Sequence, residues 1–407
     1  MHSYNLLSWA AFLVIWMLAV GIGQGQNSDI SRKVIAIDSA AFVFSPGNWT
    51  GDEGRGGSVF RQTWYPGAYF RVTWTTENEN PSASILLDTT PLHDVKNKPQ
   101  ITYNVDGIWT DSVACSDNRI DVKGLKGAGA HTLSVYFKTS DQSDRWGSAE
   151  TSGKNVLRVT GLSVDSDAVS GRVQRGTRWA LIVGDSITEG SAANFGQSDN
   201  LSDWSFLVGQ GLQERDYEYC ISACGWSGWL RPGDHSPSDV PAYYMISGSS
   251  YGSGGGYDDA RSRWNKIDGG TDHGLLDSRN HLSAYGNLGQ EPSLILINYG
   301  TNDDLSHANV SDIQASITQS LAALRSAAPQ ASIYLIVPFG QYALKPLQEG
   351  LAGYRALAPD DRKVFLINLG QPVANALAAN GYWSGLHPNV RAHAVFASKI
   401  LSKINIQ

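Results

Sequence analysis

Two kinds of hydrophobic patterning divide this chain. From about Val34 to Val164, short apolar runs recur with turn signals between them: Ala41–Phe44, Tyr69–Trp74, Ser84–Asp88, Ile101–Val105, His131–Phe137 and Val156–Val164. His131-Thr132-Leu133-Ser134-Val135-Tyr136-Phe137 shows the alternation of a half-buried strand. Pro66-Gly67, Asp106-Gly107 and Gly127–Gly129 punctuate the runs. Several strands at this spacing predict a β-sandwich of jelly-roll type over residues 30–165. The stretch from Asp165 to Arg178 is poor in large apolar residues, and 166–177 reads as a linker.

Beyond residue 178 the texture changes. Ala180–Val183, Tyr217–Ser222, Leu294–Tyr299, Ile333–Val337 and Val364–Leu369 are largely continuous apolar runs, as in parallel strands buried on both faces. Ile313, Ile317, Leu321 and Leu324 recur at helical spacing, with Ser311 and Gln314 placed as a capping box. Val390, Ala394, Ala397, Leu401 and Ile404 mark a closing helix. Strands alternating with helices predict an α/β domain over 178–407, a parallel sheet covered on both faces. Leu230 to Pro292 interrupts the rhythm with a long, polar, Gly-rich segment of the kind that carries function. It is expected to roof a cleft, with Trp264 and Tyr257 as candidate substrate contacts. Gly252–Gly256 lacks the Lys-Ser/Thr ending of a phosphate loop, which argues against nucleotide binding.

Leu6 to Gly23 is apolar apart from Ser8, and Gly23 and Gly25 suit cleavage positions. Residues 1–25 therefore read as a secretory signal peptide, which makes the mature chain extracellular and free of the membrane. The alternative is an uncleaved membrane anchor. A net charge of -7 without a dense Lys/Arg patch argues against nucleic acid as a partner. Cys115, Cys220 and Cys224 make no disulfide framework, although Cys220 and Cys224 could pair after export. Their spacing is not that of a zinc site, and neither metal nor cofactor is expected. Asn48, Asn200 and Asn309 each open an N-glycosylation triplet.

The chemistry gathers at strand ends. Trp179 to Gly190 runs from an apolar strand straight into Gly184-Asp185-Ser186. Open α/β sheets bind ligands at the carboxyl ends of their strands, which places the Ser186 hydroxyl in a cleft. Gly225-Trp226-Ser227-Gly228 follows the second strand, Gly300-Thr301-Asn302-Asp303 the third, and His387 precedes the closing helix. Acyl transfer needs a nucleophile, a base within reach and donors for an oxyanion. Ser186 and His387 fill the first two roles. The N–H groups of Ser186 and Gly228, with the Asn302 side-chain amide, fill the third. Asp185 and Asp303 read as structural, His393 and His307 as surface residues, and Trp383 as either a sugar platform or core.

These blocks, in this order, resemble the SGNH or GDSL-type hydrolases over about Arg178 to Ile404. The resemblance implies a flavodoxin-like three-layer fold, with Ser186 as nucleophile, His387 as base, and Gly228 and Asn302 at the oxyanion. A β-sandwich ahead of such a domain is similar to the two-domain carbohydrate esterases of family two. Asn48-Trp49 and Pro66-Gly67-Ala68-Tyr69-Phe70 resemble that group's N-terminal part. That implies a monomer removing acetyl groups from polysaccharides or oligosaccharides. Most of the superfamily has Asp three residues before the histidine, where this chain has Ser384. The expected outcome is a Ser186–His387 dyad, with Asp303 and Asp304 as rival carboxylates. Two other readings stay open: a lipid or thioester hydrolase, and a non-catalytic carbohydrate-binding protein with a degenerate esterase domain. For the latter, Trp49, Trp64, Trp74 and Trp109 would have to form an exposed flat row.

Overall fold

The continuous apolar runs become five parallel strands in the computed structural model, which describes residues 32–51, 59–147, 154–233, 240–249, 261–269 and 291–405. The expected signal segment 1–25, Tyr257 and Gly252–Gly256 lie outside the described residues. The strands are β1 (Arg178–Gly184), β2 (Tyr217–Ala223), β3 (Leu294–Asn298), β4 (Ser332–Ile336) and β5 (Val364–Ile367). Their spatial order is β2-β1-β3-β4-β5, the doubly wound, flavodoxin-like order. The helices are α1 (Ser186–Glu189), α2 (Trp204–Gln213), α3 (Thr301–Leu305), α4 (Val310–Ala327), α5 (Leu344–Leu357), α6 (Gln371–Ala379) and α7 (Val390–Lys403).

Alternate strand residues serve two different layers, because side chains of a strand point to opposite faces. Leu181, Val183, Ile295, Ile297, Ile333 and Leu335 share a core with Ile313, Ile317, Leu321 and Leu324 of α4 and Leu347 and Leu351 of α5. Ala180, Ile182, Leu294, Leu296 and Ile336 share another with Trp204 and Val208 of α2 and Phe396 and Ile400 of α7. The face read for α4 is therefore the buried one. Its start differs from expectation: Asn309 is the N-cap, accepting from the Ser311 N–H, and Gln314 reaches Glu349 instead of closing a capping box. Asn caps strongly through its side-chain oxygen, and it begins the helix one residue before Ser311. The closing helix is rotated from the expected face. Ala392, His393, Phe396, Ala397 and Ile400 are buried, and Ala394 is exposed.

Ahead of this domain two antiparallel sheets face each other. One runs Arg119–Asp121, Ala83–Leu87, Leu157–Asp165, Arg61–Thr63, Thr50–Gly51, with Arg32–Ala36 also on Leu157–Asp165. The other runs Val169–Ser170, Tyr69–Thr76, Gly129–Thr139, Gln100–Val105, Ile108–Trp109. Phe42–Phe44 pairs with Tyr69–Thr76, and Val113–Ala114 with Gln100–Val105. Val169–Ser170 lies inside the expected linker, so 166–177 is partly sheet rather than a bare tether. Trp49, Trp64 and Trp74 are buried, while half-exposed Trp109 stacks on Tyr136 at 5.3 Å. The four tryptophans do not form an exposed row, because three of them fill the interior.

The sandwich packs directly on the parallel sheet. Tyr69 meets Tyr219 of β2 at 4.8 Å, and Tyr136 meets Phe206 of α2 edge-on at 5.5 Å. The Tyr69 hydroxyl and Arg71 both donate to the buried carboxylate of Glu218. Asn48 Nδ2 donates to the Ile221 carbonyl at 3.1 Å. Asn48 and Asn200 are fully buried, which removes both as glycan acceptors; Asn309 is exposed. The three cysteines are buried thiols, so Cys220 and Cys224 are not paired.

Candidate active site

Ser186 opens α1 directly after β1, and its N–H belongs to the first turn, where no intrahelical acceptor exists. Asp185 is the N-cap: its Oδ1 accepts from the Ile187 N–H at 2.9 Å. Burial pushes the Asp185 carboxyl up to about 7, and the charges of Asp303 and Glu189 act the same way. Asp185 thus shapes the turn that presents Ser186.

His387 arrives from the other end of the domain. Trp383–Ser384 and His387–Pro388 form a hairpin whose two-residue loop is Gly385-Leu386. Gly385 has φ +67°, which a primed hairpin turn requires at that position and a Cβ would disfavour. Asn389 then caps α7, accepting from Arg391 and Ala392 N–H and tying back to Gly381 through Nδ2. Held between hairpin and helix, His387 Nε2 lies 2.9 Å from Ser186 Oγ. Burial lowers the basicity of the imidazole below its ordinary value, and the Glu189 charge opposes that. A neutral ring can accept the hydroxyl proton. Among the described residues no carboxylate is within ion-pair distance of His387.

Asn302 sits in α3 at the end of β3 and is buried. Its Nδ2 donates to the Ser227 carbonyl at 3.0 Å, leaving that amide a second N–H. Asp303 turns the other way. Its carboxylate accepts the N–H groups of Trp229 and Leu230 at 2.9 Å and of Arg231 at 3.2 Å. Asp304 accepts from Ala343 N–H at 3.4 Å, its one side-chain hydrogen bond among the described residues. Gly228 departs from the sequence expectation. Its N–H donates to the Arg231 carbonyl at 2.9 Å and its carbonyl accepts from Tyr243 at 2.9 Å. The 228–231 turn is wrapped around Asp303 so closely that a Cβ at Gly228 would collide with the carboxylate. The amide expected at an oxyanion is thus committed within the turn.

Other sequence readings resolve differently. His393 is fully buried, not on the surface; its Nδ1 accepts the Trp204 N–H at 3.2 Å, at the start of α2. Burial, then the nearby His387, pushes it down to about 3, so it stays a neutral acceptor. His307 is exposed, and Trp383 packs edge-on against Phe396 at 6.3 Å. The described parts of the long insertion brace the strand ends. Tyr243 and Tyr244 donate to Gly228 and Trp229, while buried Arg263 reaches Ser222 at 3.2 Å and the Gly184 carbonyl at 3.4 Å. Trp264 packs against Tyr244. Glu189, at the end of the turn that Ser186 opens, and Arg145 and Gln142, which reach it, carry no sequence expectation.

Comparison with known proteins agrees with this layout. The model of the GDSL-like lipase/acylhydrolase family matches residues 181–400. No curated protein sequence matches the chain. Among solved structures, a family two carbohydrate esterase from Cellvibrio japonicus is similar with a TM-score of 0.62 and 15% identity, over 92% of this chain and 97% of that one. An acetyl xylan esterase from the rumen bacterium Butyrivibrio proteoclasticus is similar with a TM-score of 0.60 and 15% identity, over 91% and 96%. A family two carbohydrate esterase from Clostridium thermocellum, in complex with cellohexaose, is similar with a TM-score of 0.55 and 15% identity, over 89% and 98%. These likenesses extend over the sandwich and the parallel sheet together. With the family model spanning the strand ends that carry Ser186 and Asn302 and the hairpin that carries His387, the chain belongs to the GDSL-like lipase/acylhydrolase family, the SGNH hydrolases.

Proposed function

We propose that this protein is a secreted serine esterase that removes O-acetyl groups from polysaccharides through an acyl-enzyme on Ser186. The observation that carries the reading is the 2.9 Å contact between Ser186 Oγ and His387 Nε2 at the mouth of β1. As Oγ bonds to the acetyl carbonyl carbon, Nε2 takes the hydroxyl proton and charge moves onto the carbonyl oxygen. The Ser186 N–H and the second N–H of the Asn302 amide receive that charge. His387 then returns the proton to the departing sugar oxygen. Water repeats the sequence, with His387 again as base, and acetate leaves.

A carbohydrate substrate is supported by the likeness to carbohydrate esterases and by Trp226. That indole is 42% exposed at φ +63°, beside the Ser227 carbonyl that orients Asn302. A bulky residue held in the left-handed region points to function, and the part of the indole left open beside the Arg231 guanidinium, 5.9 Å from the ring centroid, suits a sugar ring. Secretion rests on the expected signal segment 1–25. Acetate release from acetylated xylan, mannan and pectin, measured beside hydrolysis of a long-chain thioester, is the direct test. Release from at least one glycan is expected. Activity confined to the thioester, or none on any ester, would overturn the reading.

A further inference from the structure

Glu189 closes the single turn that Ser186 opens, with only 4% of its surface exposed. A carboxylate so buried has to be held by donors, and two of its donors come from the sandwich. Arg145 Nη2 reaches both of its oxygens, at 3.1 and 3.3 Å, and Gln142 Nε2 donates to Oε1 at 3.0 Å. The other donor is the Gly225 N–H, at 2.7 Å from Oε2. Gln142 Nε2 also contacts Ser191 Oγ at 2.6 Å, and it lies so close over Gly225 that a Cβ there would collide with it. Residues 142–145, just beyond the strand Gly129–Thr139, thus touch both the Ser186 turn and the start of the loop that carries Ser227 and Gly228.

We propose that Glu189 is a positioning residue of the esterase, held by Arg145 and Gln142 of the sandwich. It fixes the Gly225–Gly228 loop against the Ser186 turn. The inference rests on the Ser186–His387 reading and extends it. Geometry carries it: one carboxylate joins α1, the loop after β2 and the sandwich through four donor contacts. The ion pair's side chains are 1% and 4% exposed, so the carboxylate is held inside the protein rather than at its surface. Glu189 raises the basicity that burial takes from His387. Glu189 acts without direct contact, so its effect is smaller than that of a hydrogen-bonded triad carboxylate.

The test compares the full chain with Glu189→Gln, Arg145→Met and the double variant. The readouts are thermal melting, labelling of Ser186 by a fluorophosphonate probe, and kcat and KM on p-nitrophenyl acetate. Either single change leaves a buried group without its partner, whereas the double change removes both charges and preserves folding better. In the folded double variant kcat should fall on the order of 10- to 100-fold, with KM moved less than about threefold. A purely structural pair would instead let kcat recover along with folding. Wild-type kcat in that variant, or a loss confined to KM, overturns the inference alone. Failure of the wild type to label at Ser186 overturns the esterase reading and the inference with it. If the double variant does not fold, Gln142→Leu decides, since it leaves the ion pair in place. A lowered kcat at constant KM supports the inference, and an unchanged kcat overturns it.

Discussion

The parallel sheet and the sandwich bury their strands by different rules. Every residue of β2 is buried, and in β1 only Arg178 is not, because helices or the sandwich cover both faces. In Tyr69–Thr76 the inward residues Phe70, Val72, Trp74 and Thr76 are buried. The outward ones grade from buried Tyr69 through half-buried Arg71 and Thr73 to exposed Thr75. Gly129–Thr139 likewise alternates until Tyr136, an outward residue that is nevertheless buried. Tyr69 and Tyr136 are where the sandwich meets the catalytic sheet. Alternation thus marks a face open to water, and its local failure marks an interface. Tyr69-Phe70 and Tyr136-Phe137 each place one ring in the sandwich and one against the neighbouring domain.

Ser186, His387 and Asn302 all belong to the parallel-sheet domain, on which the sandwich packs, and experiments can separate the contributions of the two. The largest effect belongs to the catalytic sheet. Ser186→Ala and His387→Ala should each lower kcat about 10⁴-fold or more, with circular dichroism unchanged. A folded variant that still releases acetate would remove that residue from the mechanism. Next, Asn302→Ala should cost about 10²–10³ in kcat while KM moves little, as for loss of one oxyanion donor. An unchanged kcat would mean that the Asn302 amide serves only to hold the Ser227 carbonyl.

The interface comes third. Glu218→Ala strips the Tyr69 hydroxyl and Arg71 of a buried acceptor, so it should destabilise the fold by about 3 kcal/mol. Calorimetry of the wild type should show both regions unfolding in one transition. Two well-separated transitions would show that the sandwich is an independent attachment. A smaller effect is set by pH. Because burial lowers His387 from its ordinary 6.5, the acid limb of kcat/KM should have its midpoint below that value. Activity is present above the midpoint, where the ring is neutral, and lost as protonation removes the base. A midpoint above 6.5 would require a stronger anionic partner than Glu189. The smallest effect is expected of Ser384→Ala, under about tenfold in kcat, as for loss of one neutral hydrogen bond. A greater loss would identify the Ser384 hydroxyl as the group that orients the imidazole.

Much of the catalytic half was legible because its signals are local. A continuous apolar run ending in Gly-Asp-Ser encodes a buried strand and the turn after it, and the same holds for the run before Gly-Thr-Asn-Asp. Both depend on neighbouring residues, and the strands formed within two residues of expectation. Helix faces were less secure. α7 turned His393 inward because α2 offered it the Trp204 N–H, a partner 189 residues away. The Gly228 amide was misread for a similar reason: its commitment to Arg231 depends on Asp303 pulling the 229–231 amides together from another strand.

The amino-acid sequence by itself determined the two textures, the strand ends, and the hydroxyl and imidazole that meet there, Ser186 and His387. Periodicity and turn chemistry act over a few residues, and a parallel sheet brings successive strand ends to one edge whatever lies between them. Only the tertiary structure decided what those groups lean on. Glu189 looks in the sequence like one more acidic residue on a short helix. It acquires its place from Arg145 and Gln142, which reach it from another sheet. No local pattern encodes such a partner, because a buried charge is stabilised by whatever the fold brings within hydrogen-bond distance, however remote along the chain.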